Sequence, residues 1–141
     1  GRKRVGYFCK WNCGEGPVPK VLVVDDERLL RSMLKDALEQ AGYTVVLAEN
    51  GEAALARAKA ESPDCVVLDI MMPGLDGYET CAALKKDPDL AAVPVILVSA
   101  TTDLRVIDRA EAVGATTVLP KPVPIEQLEQ ALILALNPPQ P

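Results

Sequence analysis

Polar and charged side chains of this chain stand directly after short apolar segments, at the points where those segments end. The residues with this placement are Asp25, Asp26, Asp69, Ser99 and Lys121. An ionisable group next to a buried segment is costly unless it has partners. Each residue alone has an ordinary interpretation, as a helix cap, a turn residue or a surface lysine. Their chemistry becomes informative only if the fold brings them to one place.

Three carboxylates in one place would need a cation. Two of them about 4 Å apart repel by roughly 4 kcal/mol at an effective dielectric constant near 20, and a third raises the pKa of one member or demands a metal. Hard carboxylate oxygens with room for water suit Mg²⁺. A lysine ammonium and a serine hydroxyl suit phosphoryl oxygens. The set therefore indicates an aspartate that accepts a phosphoryl group.

Five short apolar segments predict buried strands, and each is followed by a helical pattern. The strands are expected at residues 21–24, 44–48, 65–68, 94–98 and 115–119. Strands that alternate with helices form a parallel sheet with right-handed crossovers and helices on both faces. We therefore predict a doubly wound α/β fold. In such sheets the carboxyl ends of the strands share one edge, where ligands bind.

The helices have recognisable start and stop signals. Apolar residues at helical spacing from Leu29 end at Gly42, and Asn50 is a predicted N-cap for a helix to about Ala60. The remaining signals are a capping box at Asp76–Glu79, a helix from about Asp103 to Val113, and Pro124 at the first position of a helix to about Leu136.

Charge and length limit the function classes. The 141 residues suit one domain, and the net charge is −5. Residues 1–19 carry +3, so the remainder carries −8, which argues against direct binding to nucleic acid. No segment approaches the roughly 20 apolar residues of a membrane span. Cys65 and Cys81 occupy apolar positions, and the cysteines show no disulfide spacing, so we expect a reducing cytoplasmic environment.

The first 19 residues differ from the rest of the chain, since they are basic and aromatic and end in a Gly/Pro-rich stretch. Cys9 and Cys13 could be half of a zinc site or a disulfide, but two ligands cannot close a tetrahedral site. We interpret residues 1–19 as an irregular extension or linker remnant without zinc, residues 20–137 as the domain, and residues 138–141 as a tail. The lack of an initiating Met indicates a fragment. The domain either stands alone or is excised from a larger protein, and the unusual N-terminal segment favours excision.

Four motifs together resemble the receiver domain of two-component response regulators, over about residues 20–136. They are VLVVDDE at 21–27, VVLDIMMPGLDG at 66–77, VILVSA at 95–100 and VGATTVLPKP at 113–122. The resemblance implies a flavodoxin-like strand order, 2-1-3-4-5. It also implies a phosphoacceptor that assists its own phosphorylation and dephosphorylation, and so no enzyme in the ordinary sense.

The resemblance assigns a role to each site residue. Asp69 would be the phosphoacceptor, taking its phosphoryl group from a histidine kinase or a phosphotransfer protein. Asp26, Asp69 and the backbone carbonyl of Met71 would bind Mg²⁺ directly, and Asp25 would act through water. Ser99 and Lys121 would bind the phosphoryl group, and the peptide bond before Pro122 would be cis. The output would be a linked domain or an effector protein.

One residue departs from the family pattern. The family usually has Tyr or Phe where this chain has Val118. In the family that aromatic ring moves inward on phosphorylation, so the departure puts the usual propagation of the signal in doubt, but not phosphorylation itself.

Three other interpretations remain to be weighed. An Asp-nucleophile phosphatase of the haloacid dehalogenase type needs D-x-D after the first strand and a cap insertion, whereas here Asp25 and Asp26 are adjacent. A pseudo-receiver would only bind partners, but every charged position is intact. A flavodoxin-like electron carrier would need a Ser/Thr/Gly-rich phosphate loop after the first strand, and this chain has none there.

Overall fold

The computed structural model describes residues 18–137. The predictions for Cys9, Cys13 and the tail at 138–141 lie outside the described residues. Within them, five parallel strands form one sheet in the order β2-β1-β3-β4-β5, which confirms the predicted fold class and strand order. The strands are β1 (Lys20–Val24), β2 (Thr44–Ala48), β3 (Cys65–Asp69), β4 (Val95–Ser99) and β5 (Thr117–Pro120).

Helices follow each strand and cover both faces of the sheet. They are α1 (Arg28–Gln40), α2 (Gly51–Glu61), α3 (Gly77–Lys86), α4 (Leu104–Ala112) and α5 (Ile125–Leu136). Apolar residues of α1 and α5 pack on one face, and those of α2, α3 and α4 pack on the other. Because both faces are covered, β3 and β4 are buried along their whole length, as their continuous apolar sequences predict.

Side-chain caps begin three of the helices where the sequence predicts. The Asn50 side chain accepts a hydrogen bond from the backbone N–H of Ala53 at 2.7 Å. Asp76 and Glu79 form the reciprocal capping box, with distances of 2.8 and 3.0 Å. Asp103 caps α4 through its carboxylate. These local bonds satisfy N–H groups that the helices themselves leave free.

Several predicted boundaries differ from the structure by one or two residues, as at β4, predicted at 94–98 and observed at Val95–Ser99. Pro124 is the N-cap of α5 and lies just before the first helical position. The strand β5 begins at Thr117 rather than Ala115, because the N–H of Ala115 bonds back to Ala110 and closes the end of α4. The turn there uses a positive φ of 88° at Gly114. Boundaries of this kind depend on which partner each N–H finds.

Other predictions concern the chain as a whole. Cys65 and Cys81 are buried and free, as their apolar positions predict. The Lys121–Pro122 peptide bond is cis, in agreement with the resemblance. Among residues 18–137, no helix is both long and apolar enough to cross a membrane.

Candidate functional site

The register of the sheet brings the predicted carboxylates to one edge. Val24 of β1 pairs with Leu68 of β3, so the next residues, Asp25 and Asp69, stand opposite each other at the strand ends. On the other side of β3, Asp69 pairs with Val98 of β4. The site therefore lies at the carboxyl edge of the three central strands, where parallel sheets bind ligands.

Side chains along a strand point alternately to the two faces of the sheet, so the strand position of each site residue decides the face on which it lies. Residues two apart in a strand point to the same face. Val23 and Val67 belong to the core on the α1 and α5 face, so Asp25 and Asp69 continue that face at the sheet edge. Leu119 belongs to the same core, and Lys121 lies two residues beyond it. The two-residue period of the strands thus places the two aspartates and the lysine on one face of the sheet.

The loop after β3 is held close beneath Asp69. Gly77, the first residue of α3, donates its N–H to the carbonyl of Ile70 at 2.8 Å. A Cβ at Gly77 would lie 2.6 Å from the carbonyl oxygen of Asp69, so only glycine allows this approach. Gly74 makes the preceding turn with a φ of 76°. The packing of α3 therefore fixes the backbone that carries Asp69.

The Lys121 ammonium lies among three carboxylates. Its Nζ is 3.0 Å from Asp69 Oδ2, 3.3 Å from Asp25 Oδ2 and 3.3 Å from Glu27 Oε1. Asp25 and Asp69 have side chains only 3% exposed, whereas the Glu27 side chain is 64% exposed. The lysine thus connects the buried aspartates to a carboxylate at the rim.

The carboxylates of Asp25, Asp26 and Asp69 form a cluster suited to a hard cation. One oxygen from each lies within 4.8 Å of the others. Asp26 is exposed while the other two are buried, so water can complete the coordination from the outer side. Mg²⁺ prefers oxygen ligands and usually keeps several waters. The donor set therefore fits Mg²⁺.

Burial and charge act in opposite directions on this site. Burial raises the pKa of Asp69 above the ordinary aspartate range, and the charge of Asp25 adds to the rise, while Lys121 opposes it. Burial by itself would lower the pKa of Lys121, but Asp69, Asp25 and Glu27 outweigh it and raise the pKa. The single lysine does not fully compensate the crowded carboxylates.

Ser99 and Met71 lie at the same edge in different roles. Ser99 is buried at the end of β4, and its hydroxyl accepts a hydrogen bond from the N–H of Thr101 at 3.2 Å. By strand alternation it belongs to the opposite face from Asp69. Met71 donates its backbone N–H to Asp69 Oδ1 at 3.3 Å, which orients the carboxylate. The Met71 side chain is 73% exposed at the mouth of the site.

Two residues of the site were missed by sequence reasoning. Glu27 contacts Lys121 as described above, and its backbone N–H bonds Asp25 Oδ1 at 2.8 Å. Arg31, one turn into α1, donates to the carbonyl oxygen of Asp25 at 2.6 Å. The third consecutive acid after β1 was the available signal for Glu27. Nothing in the local pattern distinguishes Arg31 from a surface arginine.

Val118 is half-buried on the face opposite Asp69. It pairs with Leu97 of β4 and packs against the core under α4. Beside it lies a cavity of about 320 Å³, lined by Thr102, Ile107, Ala110 and Glu111 among others. The valine does not fill this space.

Comparison with known proteins gives consistent matches. The family model described as "Response regulator receiver domain" matches residues 21–133. A probable transcriptional regulator, ycf27, of Guillardia theta is 46% identical over 120 residues, which cover 84% of this chain and 45% of that protein. The response regulator MprA of Mycolicibacterium vanbaalenii is 39% identical over 109 residues, or 77% of this chain and 46% of that one. The chain thus spans less than half the length of these relatives.

Solved structures show the same fold. The chemotaxis protein CheY4 of Vibrio cholerae superposes with a TM-score of 0.82 at 33% identity, covering 85% of this chain and 100% of that chain. A "putative response regulator" from Chloroflexus aurantiacus superposes with a TM-score of 0.81 at 30% identity, covering 85% of this chain and 98% of that chain.

Proposed function

We propose, from the premise that this chain belongs to the response regulator receiver domain family, that it accepts a phosphoryl group on Asp69. Family membership makes the chain a receiver domain of two-component signalling, a class of signal transducers rather than of enzymes. The same membership decides against the phosphatase hypothesis. The phosphorylated residue, the metal and the partners are the parts that we propose here.

The observation that carries this proposal is the environment of Asp69. Its carboxylate is buried at the carboxyl edge, opposite Asp25 and 3.0 Å from Lys121 Nζ. A carboxylate with a raised pKa and an adjacent ammonium is a nucleophile beside a group that stabilises phosphoryl oxygens. Asp25 is similarly buried and lies in the same cluster, but of these two carboxylates only that of Asp69 accepts a hydrogen bond from the Lys121 ammonium.

The transfer balances without an added reactant. An Asp69 oxygen attacks the phosphorus of a phosphohistidine, the P–N bond breaks, and the imidazole leaves with the electron pair and takes up a proton. Lys121 Nζ, now beside Asp69, donates to the phosphoryl oxygens. Met71 holds the carboxylate through its N–H. We propose that the Ser99 hydroxyl turns from Thr101 to bond the same phosphoryl group.

Mg²⁺ is the proposed cofactor. Asp26 and Asp69 would bind it directly together with the backbone carbonyl of Met71, and Asp25 would act through water. When bound, the cation neutralises charge on the transferring phosphoryl oxygens. Its positive charge also offsets the repulsion within the acid cluster, which one lysine leaves uncompensated.

The proposed partners are proteins. A histidine kinase or a phosphotransfer protein would supply the phosphoryl group, and a linked output domain or an effector protein would receive the signal. Some relatives carry the name transcriptional regulator. The described chain is acidic outside its first residues, so we expect it to make no direct contact with nucleic acid.

Acetyl phosphate with Mg²⁺ tests the proposal directly. We expect one phosphoryl group per chain by intact-mass measurement, stable in acid and labile in base, with peptide mapping to Asp69. Asp69→Asn should abolish the mass gain, while the matched variant Asp89→Asn, on the surface, should keep it. Absence of a mass gain in the unaltered protein, or an undiminished gain in Asp69→Asn, would end the proposal.

Val118 indicates that phosphorylation changes only a limited part of the protein surface. Because valine is short and β-branched, it cannot sweep from the surface into the core as an aromatic ring can. We therefore propose that phosphorylation reshapes residues 99–103 and only weakly alters the surface formed by α4, β5 and α5. Beryllofluoride can replace the phosphoryl group while amide chemical shifts are recorded. Large shifts throughout residues 103–128, with phosphorylation-dependent dimers, would contradict this.

A further inference from the structure

Glu27 has a side chain that its own helix does not use. It is the N-cap residue of α1, yet its side chain makes no capping hydrogen bond. Glutamate is not among the residues that favour this position. Its carboxylate instead reaches across the site to Lys121, at 3.3 Å. The position therefore carries a side chain whose observed contact is with the site and not with the helix.

Lys121 Nζ makes one hydrogen bond, to Asp69 at 3.0 Å, and two longer ion-pair contacts. An ammonium has three N–H donors, and Lys121 Nζ has three carboxylates within 3.3 Å, those of Asp69, Asp25 and Glu27. A phosphoryl group on Asp69 would present additional, strongly charged acceptors. These acceptors would compete with the present carboxylates for the charge of the ammonium.

Exposure decides which contact weakens most easily. Asp25 has a side chain that is 3% exposed, so separating it from Lys121 would remove the ion pair of a buried carboxylate and leave it the N–H of Glu27. Glu27 is 64% exposed, and water can replace the lysine at little cost. The contact between Glu27 and Lys121 is thus the one that opens.

We propose that Glu27 is a positioning residue that competes with the incoming phosphoryl group for Lys121 and so slows the phosphorylation of Asp69. This inference rests on the proposed function. Glu27 contacts the lysine in the resting site, and its negative charge also opposes an anionic phosphodonor. Release of Lys121 from Glu27 accompanies transfer, and loss of the phosphoryl group restores the contact.

The size of the effect follows from Coulomb's law. A unit charge about 6 Å from the phosphoryl group, at the dielectric constant of water, changes the rate roughly threefold for a singly charged donor and tenfold for a doubly charged one. Because Glu27 is exposed, salt screens this interaction, with a Debye length of about 10 Å at 0.1 M and about 3 Å at 1 M. The salt dependence identifies a charge effect.

The experiment compares Glu27→Gln with two controls at saturating Mg²⁺. In the measured step an Asp69 oxygen attacks the phosphorus of acetyl phosphate and acetate leaves with the electrons of the P–O bond. Initial rates come from intact-mass measurements. Glu39→Gln is the matched control, since it breaks the exposed pair with Lys35 on the same helix. Glu27→Asp keeps the charge but shortens the reach to Lys121.

We expect Glu27→Gln to react about three to ten times faster than the unaltered protein at low salt, with the gain shrinking in 1 M salt. Glu27→Asp should react at an intermediate rate, and Glu39→Gln at an unaltered one. A structural role alone would leave the rate unchanged or lower it.

A Glu27→Gln rate equal to or below that of the unaltered protein, while that protein becomes phosphorylated, overturns this inference and leaves the function of Asp69 intact. An increase that persists undiminished in 1 M salt also overturns it. If the unaltered protein takes up no phosphoryl group, the proposed function fails and this inference with it.

Discussion

Two lysines of this protein are each shared among carboxylates, and their surroundings differ. Lys59 of α2 lies 2.9 Å from Asp87 and 3.0 Å from Asp89, with side chains that are 57%, 25% and 77% exposed. Lys121 lies at the sheet edge, where the side chain of Asp69 is 3% exposed. The two sets use the same chemical groups at similar distances.

The effect on the carboxylates is opposite in the two places. The hydrogen bond from Lys59 lowers the pKa of Asp87. Burial raises the pKa of Asp69, although Lys121 is as close. The lysine thus balances the charge of the exposed carboxylates near Lys59, whereas the buried carboxylates near Lys121 remain short of positive charge. That shortfall, rather than the ion pairs themselves, distinguishes the sheet edge, where we propose that a cation and a phosphoryl group bind.

The largest expected difference concerns phosphorylation. Lys121→Met should slow the reaction of Asp69 with acetyl phosphate by about 10²-fold or more, because it removes a donor aimed at the phosphoryl oxygens. Lys59→Met should leave the rate unchanged, since that lysine lies on the surface of α2. Initial rates from intact mass decide the matter. Equal rates in the two variants would mean that the buried set has no special role.

Metal binding provides the next difference. Mg²⁺ at about 100 times its dissociation constant should stabilise the protein by about 2.7 kcal/mol. Asp26→Asn should remove most of that gain, because it takes one carboxylate from the cluster. Asp89→Asn should keep it. Thermal melts with and without Mg²⁺ measure the gain, and equal shifts in both variants would place the cation elsewhere.

The pH dependence should have opposite signs in the two sets. The folded pKa of Asp69 is raised, so stability is lost as the pH rises above the ordinary aspartate value of about 3.9. Without metal, Asp69→Asn should therefore stabilise the folded protein more at pH ~7 than at pH ~4. The pKa of Asp87 is lowered, so its contribution is present above that ordinary value and is lost as the pH falls. Asp87→Asn should therefore slightly destabilise the folded protein at pH ~7.

Melting temperatures in the presence of a chelator, at both pH values, test these signs. Asp36→Asn, on the exposed side of α1, serves as the control for the loss of one surface charge. A pH response of the same sign in Asp69→Asn and Asp87→Asn would break the contrast between the two sets.

The smallest effect belongs to the exposed lysine. Lys59→Met should lower the free energy of unfolding only slightly, because exposed ion pairs gain little over hydration. The loss should shrink in 1 M salt. Denaturant unfolding at low and high salt measures it. A larger loss that salt does not alter would show that the surface set is a structural element of its own.

Local sequence determined most of the architecture. Apolar segments too short for helices indicated the strands, and Asn50, Asp76 and Asp103 indicated where helices begin. Each signal acts through neighbouring residues, by strand burial or by capping of free N–H groups. For the same reason, the ends of β1, β3 and β5 identified Asp25, Asp69 and Lys121 as members of one site before any contact was known.

Only the tertiary structure decided what those residues touch. The contact between Glu27 and Lys121 joins residues 94 positions apart in number, and the bond from Arg31 to the Asp25 carbonyl depends on how α1 packs against the sheet. The start of β5 likewise depends on the partner that Ala115 finds in α4. A sequence pattern reports the burial and spacing of neighbouring residues. The partners of a charge are set by sheet register and helix packing, which bring together groups that no local pattern connects.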